Sequence, residues 1–206
     1  MARSRHTLDP AQSALLVMDL QPFKLGPLPN SEDLLKRVAA AVETARDMSV
    51  QVAYVRAAYS NLDYATVPDT NRRLLPAIKE RVLHVDAANS GIHESVAPQD
   101  GDIVERKTRV GSFITTRLDE ELTNQGIINL ILAGIYTSST VLSTVRDAAD
   151  RDYQLYLLAD CVADPDAEVH EFLVRKVLST QAKIITTDDL GGLIRPAPRR
   201  RTRAGH

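Results

Sequence analysis

The stretch Leu130-Ile-Leu-Ala-Gly-Ile-Tyr-Thr-Ser-Ser-Thr-Val-Leu-Ser-Thr-Val145 reads as an apolar strand, a sharp turn and then a helix. Near-continuous hydrophobicity over residues 129–135 is typical of a parallel strand that is buried on both faces. The following apolar residues recur at helical spacing, and Thr137 or Ser138 can cap that helix with its hydroxyl. A helix beginning there would present free N–H groups and a positive dipole end above the strand. The turn is therefore a suitable place for a nucleophile and an oxyanion hole.

Strands and helices alternate along the rest of the chain. This pattern predicts a doubly wound, Rossmann-like α/β fold, with a mostly parallel six-stranded sheet and helices on both faces. Apolar runs predict strands at 13–19, 51–56, 102–107, 129–135, 154–161 and 182–186. Helical periodicity predicts helices at about 30–48, 74–82, 117–124 and 166–179, besides the one after the turn, and residues 59–70 read as a polar loop. Ligands of such folds bind beyond the carboxyl ends of the strands.

Length and composition indicate one soluble domain, which we place at residues 1–194. The chain has 206 residues, of which 25% are charged and 44% are hydrophobic, with no apolar run long enough to span a membrane. The first six residues are polar and lack the apolar stretch of a signal peptide, so a cytoplasmic location is expected. The single cysteine, Cys161, excludes an internal disulfide, and we interpret it as structural.

Residues 195–206 form a basic tail with five arginines and no acidic residue. Without them the chain has 20 basic and 27 acidic residues, so the body carries a net charge of −7. Basic tails can bind nucleic acid, but an acidic body argues against DNA binding. We therefore expect a disordered, solvated tail, and neither a nucleic acid nor a membrane as partner.

The turn after the strand at 129–135 also resembles a known family. Its pattern Gly134-x-x-Thr137-x-x-Thr140-Val141-x-x-Thr144 is similar to the Gly-x-x-Thr-x-x-Cys-Val-x-x-Thr segment of the isochorismatase-like (cysteine hydrolase) superfamily. The resemblance extends over residues 13–193. It implies a hydrolase of small molecules that forms a homodimer or a higher homo-oligomer. Thr140 stands where most of the family has a nucleophilic cysteine, whereas true isochorismatases have a small residue there and need no covalent intermediate.

The same resemblance supplies roles for two other residues at predicted strand ends. Asp19 matches the family's strand-end Asp-x-Gln, in which the acid carries the proton, and Lys107 matches its Lys-x-x-x-Ser/Gly-x-Phe stretch. An ammonium beside Asp19 would position the carboxylate and lower its pKa. From the residues alone, a structural cap is the favoured interpretation of Asp19, and composition favours a solvated surface position for Lys107.

Three kinds of function remain open at this stage. The favoured one is hydrolysis of the enol-ether type, with Asp19 as general acid, Lys107 as its electrostatic partner and Thr140 orienting water. A binding or regulatory module that has lost catalysis is the second. The third is an amide hydrolase with Thr140 or Ser139 as nucleophile, although a carboxylate is a poor base for an alcohol.

Four further residues are expected to bind substrate, and no cofactor or metal is expected. The substrate-binding candidates are Gln21, Phe113, Tyr136 and Ser139, although a structural role is an open alternative for Gln21 and Phe113. The five histidines are scattered, and residues 59–73 lack the histidine of the metal loop found in nicotinamidase relatives. Neither a dinucleotide fingerprint after the first strand nor a P-loop occurs.

Overall fold

The computed structural model describes residues 7–195, and within them a single six-stranded sheet forms the centre of the fold. The strands are β1 Ser13–Met18, β2 Gln51–Ala57, β3 Ile103–Lys107, β4 Asn129–Ile135, β5 Gln154–Ala163 and β6 Ala182–Ile185. Their order is β3-β2-β1-β4-β5-β6, and every pairing is parallel. This confirms the predicted doubly wound fold. Of the predicted tail, all but Arg195 lies outside the described residues.

The α-helices are α1 Pro22–Leu25, α2 Ser31–Asp47, α3 Asn61–Thr66, α4 Leu75–Lys79, α5 Leu118–Asn124, α6 Leu142–Asp150, α7 Ala167–Phe172 and α8 Thr187–Leu193. Strand side chains alternate between two cores. In β1, Leu15 and Val17 join the core that includes the buried faces of α2 and α8, while Leu16 and Met18 join the core that includes α5 and α6. No helix among residues 7–195 is long and apolar enough to cross a membrane.

Three local predictions were wrong in part. The expected loop at 59–70 contains α3, because Ser60 and Asp63 form a capping box at its start. Of the helix predicted at 74–82, the α-helical part is α4, which ends at Lys79. The helix predicted at 166–179 ends as α7 at Phe172 and continues as a π-helical turn, Leu173–Val177, and a 3₁₀ turn, Leu178–Thr180.

Strand β4 leaves no room for a side chain where Gly134 lies beside the carboxyl end of β1. Gly134 pairs with Met18 and has φ +129°, a conformation that L side chains rarely adopt. A Cβ atom there would overlap the carbonyl oxygen of Met18 and would lie 2.7 Å from its nitrogen. Only glycine therefore allows the two strand ends, and the residues that follow them, to come together.

Candidate active site

The chain order of the sheet reverses between β1 and β4, and the crevice at this switch point is where open α/β sheets bind ligands. Asp19 directly follows β1 and takes a left-handed conformation with φ +59°. Its backbone N–H donates to the Val55 carbonyl at 2.8 Å, which holds the residue to the end of β2. Its side chain is buried and faces groups from several other elements.

One carboxylate oxygen of Asp19 accepts three polar contacts. Asp19 Oδ2 lies 2.9 Å from Lys107 Nζ, 2.7 Å from Lys24 Nζ and 2.6 Å from the donating hydroxyl of Thr140. Lys107 Nζ also donates to Thr140 Oγ1 at 2.9 Å and to the Val110 carbonyl at 2.7 Å. The other oxygen, Asp19 Oδ1, is buried without a hydrogen-bond partner among the described residues. The structure thus brings the three predicted catalytic residues into direct contact.

In this cluster, burial and the neighbouring opposite charges shift the pKa values of Asp19 and Lys107 in opposite directions. Burial alone would raise the pKa of Asp19, but the ammonium groups of Lys107 and Lys24, with hydrogen bonds from Lys24 and Thr140, lower it to about 2. Burial lowers the pKa of Lys107 to about 8, against the opposing attraction of Asp19. At neutral pH the unliganded site therefore holds an ionised Asp19.

The turn after β4 differs from the predicted helix start. A cis peptide bond joins Ile135 to Tyr136, and residues Thr137–Val141 form a π-helical turn before α6. The expected capping bonds from Thr137 or Ser138 are absent from this described segment. Thr137 bonds the His170 ring at 2.8 Å, and the Ser138 hydroxyl donates to Asp164 at 2.7 Å.

The expected free N–H groups of this turn are largely occupied. The Ser138 N–H donates to Asp164, and the N–H groups of Ser139 and Val141 both donate to the Tyr136 carbonyl. An oxyanion hole requires donors that point at the reacting oxygen. These three donors already have partners, so the prediction of an open helix terminus was wrong for them.

Sequence reasoning missed three cations at the site. Lys24 contacts Asp19 from the short helix α1, and Arg73 and Arg109 line the same cavity from loops. Lys24 follows the strand-end acid by five residues and comes after Pro22, a favoured first residue of a helix, so a helical turn returning it to Asp19 could have been suspected. The two arginines carried no comparable signal.

The cavity above the cluster has a volume of about 140 Å³. Its polar wall is formed by Lys24, Lys107, Arg73, Arg109, Tyr136, Ser139 and Thr140, and its apolar wall includes Phe23, Tyr59, Leu74 and Val110. An engineered cavity of about 150 Å³ accepts benzene, so a single six-membered ring matches this space. Four cations near one carboxylate favour an anionic ligand.

The four predicted substrate-binding residues fall into two groups. Tyr136 and Ser139 line the cavity; the Tyr136 hydroxyl donates to the Lys24 carbonyl, and Arg73 donates to Ser139 at 3.3 Å. The Gln21 amide is buried, donating to the carbonyls of Ala57 and Ser90 and accepting from the Ala57 N–H. Phe113 is buried beneath Arg151, with its ring 6.0 Å from that of Tyr153. Gln21 and Phe113 are not among the residues lining this cavity in the described part of the chain.

Cys161 lies in β5 and is wholly buried in the core that includes α2. Burial raises the pKa of its thiol, with a further contribution from Asp160. A thiol of this kind is neutral and inaccessible, unlike a nucleophilic cysteine.

We therefore expect iodoacetamide to leave Cys161 unmodified in the folded protein and to label it fully in urea, with intact mass as the readout. The control is activity after the native incubation, which should be unchanged. Rapid native labelling with parallel loss of activity would contradict the structural interpretation of this cysteine.

Within residues 7–195, no group of three or more His, Cys, Asp or Glu side chains is arranged to hold a metal ion. The candidate site instead consists of a carboxylate, two ammonium groups and a hydroxyl in contact.

Comparison with known proteins indicates the family to which this fold belongs. Residues 13–189 match the isochorismatase domain family. The chain is 30% identical over 186 residues to a protein from Pseudomonas chlororaphis named "Probable isochorismatase", covering 89% of this chain and 87% of that one. It is also 30% identical over 175 residues to the ureidoacrylate amidohydrolase of Methylobacterium radiotolerans, covering 74% of this chain and 67% of that one. An isochorismatase family protein from Burkholderia thailandensis superposes with a TM-score of 0.80 at 25% identity, covering 93% and 99%.

Fold, site and relatives together define a hydrolase with an α/β architecture. The chain belongs to the isochorismatase family.

Proposed function

We propose that this protein hydrolyses the enol-ether bond of isochorismate or of a similar ring carboxylate, with Asp19 as the general acid and without a covalent intermediate. The observation that carries the proposal is the composition of the site. Asp19, Lys107 and Thr140 are in contact, while the only thiol of the chain is buried in the core. Thr140, in this interpretation, occupies the position of the family's nucleophilic cysteine.

The reaction requires one proton donor and one water molecule. Asp19 gives its proton to the vinyl carbon of the enolpyruvyl group, and the positive charge develops on the neighbouring ether-bearing carbon. Water adds to that carbon, and the resulting hemiketal collapses. Its C–O bond to the ring breaks as a ketone forms, so pyruvate and the ring alcohol leave. The proton released by the water protonates the ring oxygen, and the proton lost from the hemiketal hydroxyl returns to Asp19. Lys107 holds the carboxylate in place throughout.

The charge of the cavity supports an anionic substrate. Arg73 and Arg109 line the cavity beyond the Asp19 cluster, and guanidinium groups suit carboxylates because their donors form a planar fork. Isochorismate carries two carboxylates on a frame built around one six-membered ring. In this proposal Tyr136 and Ser139 contact the substrate. Gln21 acts indirectly, because its amide bonds to Ala57 at the end of β2. Phe113 also acts indirectly, because its ring packs in the core that includes α5 and α6.

An amide hydrolase is the second candidate, favoured by one contact and one relative. Thr140 donates its hydroxyl hydrogen to Asp19 at 2.6 Å, as a nucleophile would toward its base, and the Methylobacterium relative is an amidohydrolase. The acidity of the two groups opposes this route. An alcohol, like water, is a weaker acid than the Asp19 carboxyl group by roughly ten or more pKa units, so the carboxylate cannot readily deprotonate it.

Substitution of Thr140 separates the two mechanisms. We expect Thr140→Val, which keeps the shape and removes the hydroxyl, to lower kcat for isochorismate by no more than about 10-fold, since only a positioning hydrogen bond is lost. Thr140→Ser is the matched control that keeps the hydroxyl. Loss of all turnover in Thr140→Val, with activity preserved in Thr140→Ser, would show that the hydroxyl is essential and would contradict a mechanism in which it only positions Asp19; an acyl adduct on residue 140 would then identify it as the nucleophile.

A binding module without catalysis is the remaining alternative. Incubation with isochorismate and with ureidoacrylate, followed by mass spectrometry of the products, distinguishes all three. Pyruvate from isochorismate supports the proposal. Turnover of ureidoacrylate alone supports the amidohydrolase, and tight binding of either compound without product supports the module.

A further inference from the structure

The two lysines that contact Asp19 are held very differently. Lys107 Nζ has three partners, namely Asp19, Thr140 and the Val110 carbonyl, and its side chain is buried. Lys24 Nζ contacts only Asp19 within residues 7–195, and its side chain is 17% exposed. Of the two ammonium groups, that of Lys24 can leave Asp19 by breaking a single contact.

The backbone of Lys24 is held by two hydrogen bonds, whereas its ammonium has a single contact within residues 7–195. The Tyr136 hydroxyl donates to the Lys24 carbonyl, and the Lys24 N–H donates to the Gln21 carbonyl at 2.9 Å. Lys24 also lines the cavity. Because a lysine has a flexible four-carbon side chain, its ammonium can move from Asp19 into the cavity without displacing α1.

The other polar and charged groups around Asp19 favour this movement of the Lys24 ammonium when an anion enters the cavity. Lys107 approaches from β3, Thr140 from the π-helical turn, Tyr59 from the end of β2 and Tyr136 from the end of β4, while Arg73 and Arg109 lie in the loops above. The carboxylate of Asp19 is the anion at the centre of these groups. A ligand carboxylate near the arginines would supply a second anion and compete for the less anchored lysine.

We propose that Lys24 is a positioning residue that moves from Asp19 to a carboxylate of the substrate, so that Asp19 takes up a proton when an anionic substrate is bound. This inference rests on the proposed function for the class of substrate. It accounts for how a site that keeps Asp19 ionised when empty becomes an acid when filled. The incoming solvent proton goes to Oδ1, the oxygen without a partner, because Oδ2 retains Lys107 and Thr140.

Proton-linked binding of a small carboxylate tests the proposal without any turnover. Isothermal titration calorimetry with benzoate, in buffers of different ionisation enthalpy at pH 5, gives the number of protons taken up per ligand. We expect about half a proton to one proton per benzoate for the wild type, and none for the neutral analogue benzamide. Asp19→Asn should bind benzoate with no proton uptake, which assigns the proton to Asp19.

Lys24→Met is the decisive variant, and Lys36→Met on α2 is its control, because Lys36 is exposed and pairs with Asp33, away from the cavity. We expect Lys24→Met to bind benzoate about 10-fold or more weakly and to lose most of the proton uptake, while Lys36→Met matches the wild type. A merely structural lysine would change affinity or folding but would not abolish the linkage.

Three outcomes would overturn the proposal: no benzoate binding to the wild type at millimolar concentration, binding without proton uptake, or unchanged uptake in Lys24→Met. The role of Lys24 and the proposed function can be rejected independently of each other. Turnover of isochorismate with no proton linkage would reject only the role of Lys24. Proton linkage with no isochorismate turnover would keep that role and reject the enol-ether reaction.

Discussion

Replacing Asp19 by asparagine is expected to lower kcat for isochorismate by about 1,000-fold or more, the scale at which positioned general acids contribute. Asparagine has nearly the same shape and can still accept a hydrogen bond from Lys107 or Thr140. It has no carboxyl proton to give to the vinyl carbon. The measurement is pyruvate formation under saturating substrate, so that a change in binding does not enter the comparison.

The fold of Asp19→Asn must be checked, because the substitution leaves the ammonium of Lys107 buried without its anion. Attraction to Asp19 raises the pKa of Lys107, so this pKa should fall further below 8 in the variant. Breaking a buried ion pair costs about 3 to 5 kcal/mol, and activity should be compared at a temperature where circular dichroism shows a folded protein. Asp33→Asn removes an exposed carboxylate of α2 and serves as the control. Turnover within 10-fold of the wild type would reject Asp19 as the acid.

The second large effect concerns folding. We expect Gly134→Ala to destabilise the protein by about 3 kcal/mol or more, enough to abolish folding if the domain is marginally stable. The added methyl group would meet the nitrogen and carbonyl carbon of Met18 at 2.7 and 2.8 Å, besides overlapping its carbonyl oxygen. These are backbone atoms of a central strand, so they cannot turn aside as a flexible side chain would, and the positive φ adds strain.

Urea unfolding followed by circular dichroism measures this effect, and Gly191→Ala is the matched control. Gly191 lies within α8, and a Cβ atom there meets nothing within 4 Å. Because alanine is the better helix former, this control should be neutral or stabilising by up to about 1 kcal/mol. Equal unfolding midpoints for Gly134→Ala and the wild type would contradict the close approach of β1 and β4.

The framework of the fold could be predicted because long apolar runs have few alternatives. The predicted strand at 129–135 matches β4, and the strand ends that carry Asp19 and Lys107 followed from the same pattern. Since parallel strands end at the same edge of a sheet, the convergence of Asp19, Lys107 and Thr140 could be anticipated before any distance was known.

The parts that could not be predicted depend on tertiary packing. Arg73 and Arg109 lie in loops whose paths are set by contacts remote in sequence. Nothing in the run Thr-Ser-Ser-Thr-Val at 137–141 distinguishes a π-helical turn from an ordinary helix start, so its occupied N–H groups were not foreseen. Gln21 follows the strand-end acid by two residues and could have faced the cavity or the neighbouring strand; only the packed structure shows its amide bonded to Ala57.

In the proposed mechanism, the reaction begins with transfer of a solvent-derived proton to carbon and forms no covalent intermediate. The most direct test is turnover of isochorismate in D₂O, with the pyruvate trapped at once as lactate and analysed by mass spectrometry beside the intact protein. This mechanism predicts one deuterium in the methyl group, an unmodified protein mass and loss of the product in Asp19→Asn. No pyruvate from isochorismate, together with an acyl adduct on Thr140 during turnover of ureidoacrylate, would contradict it.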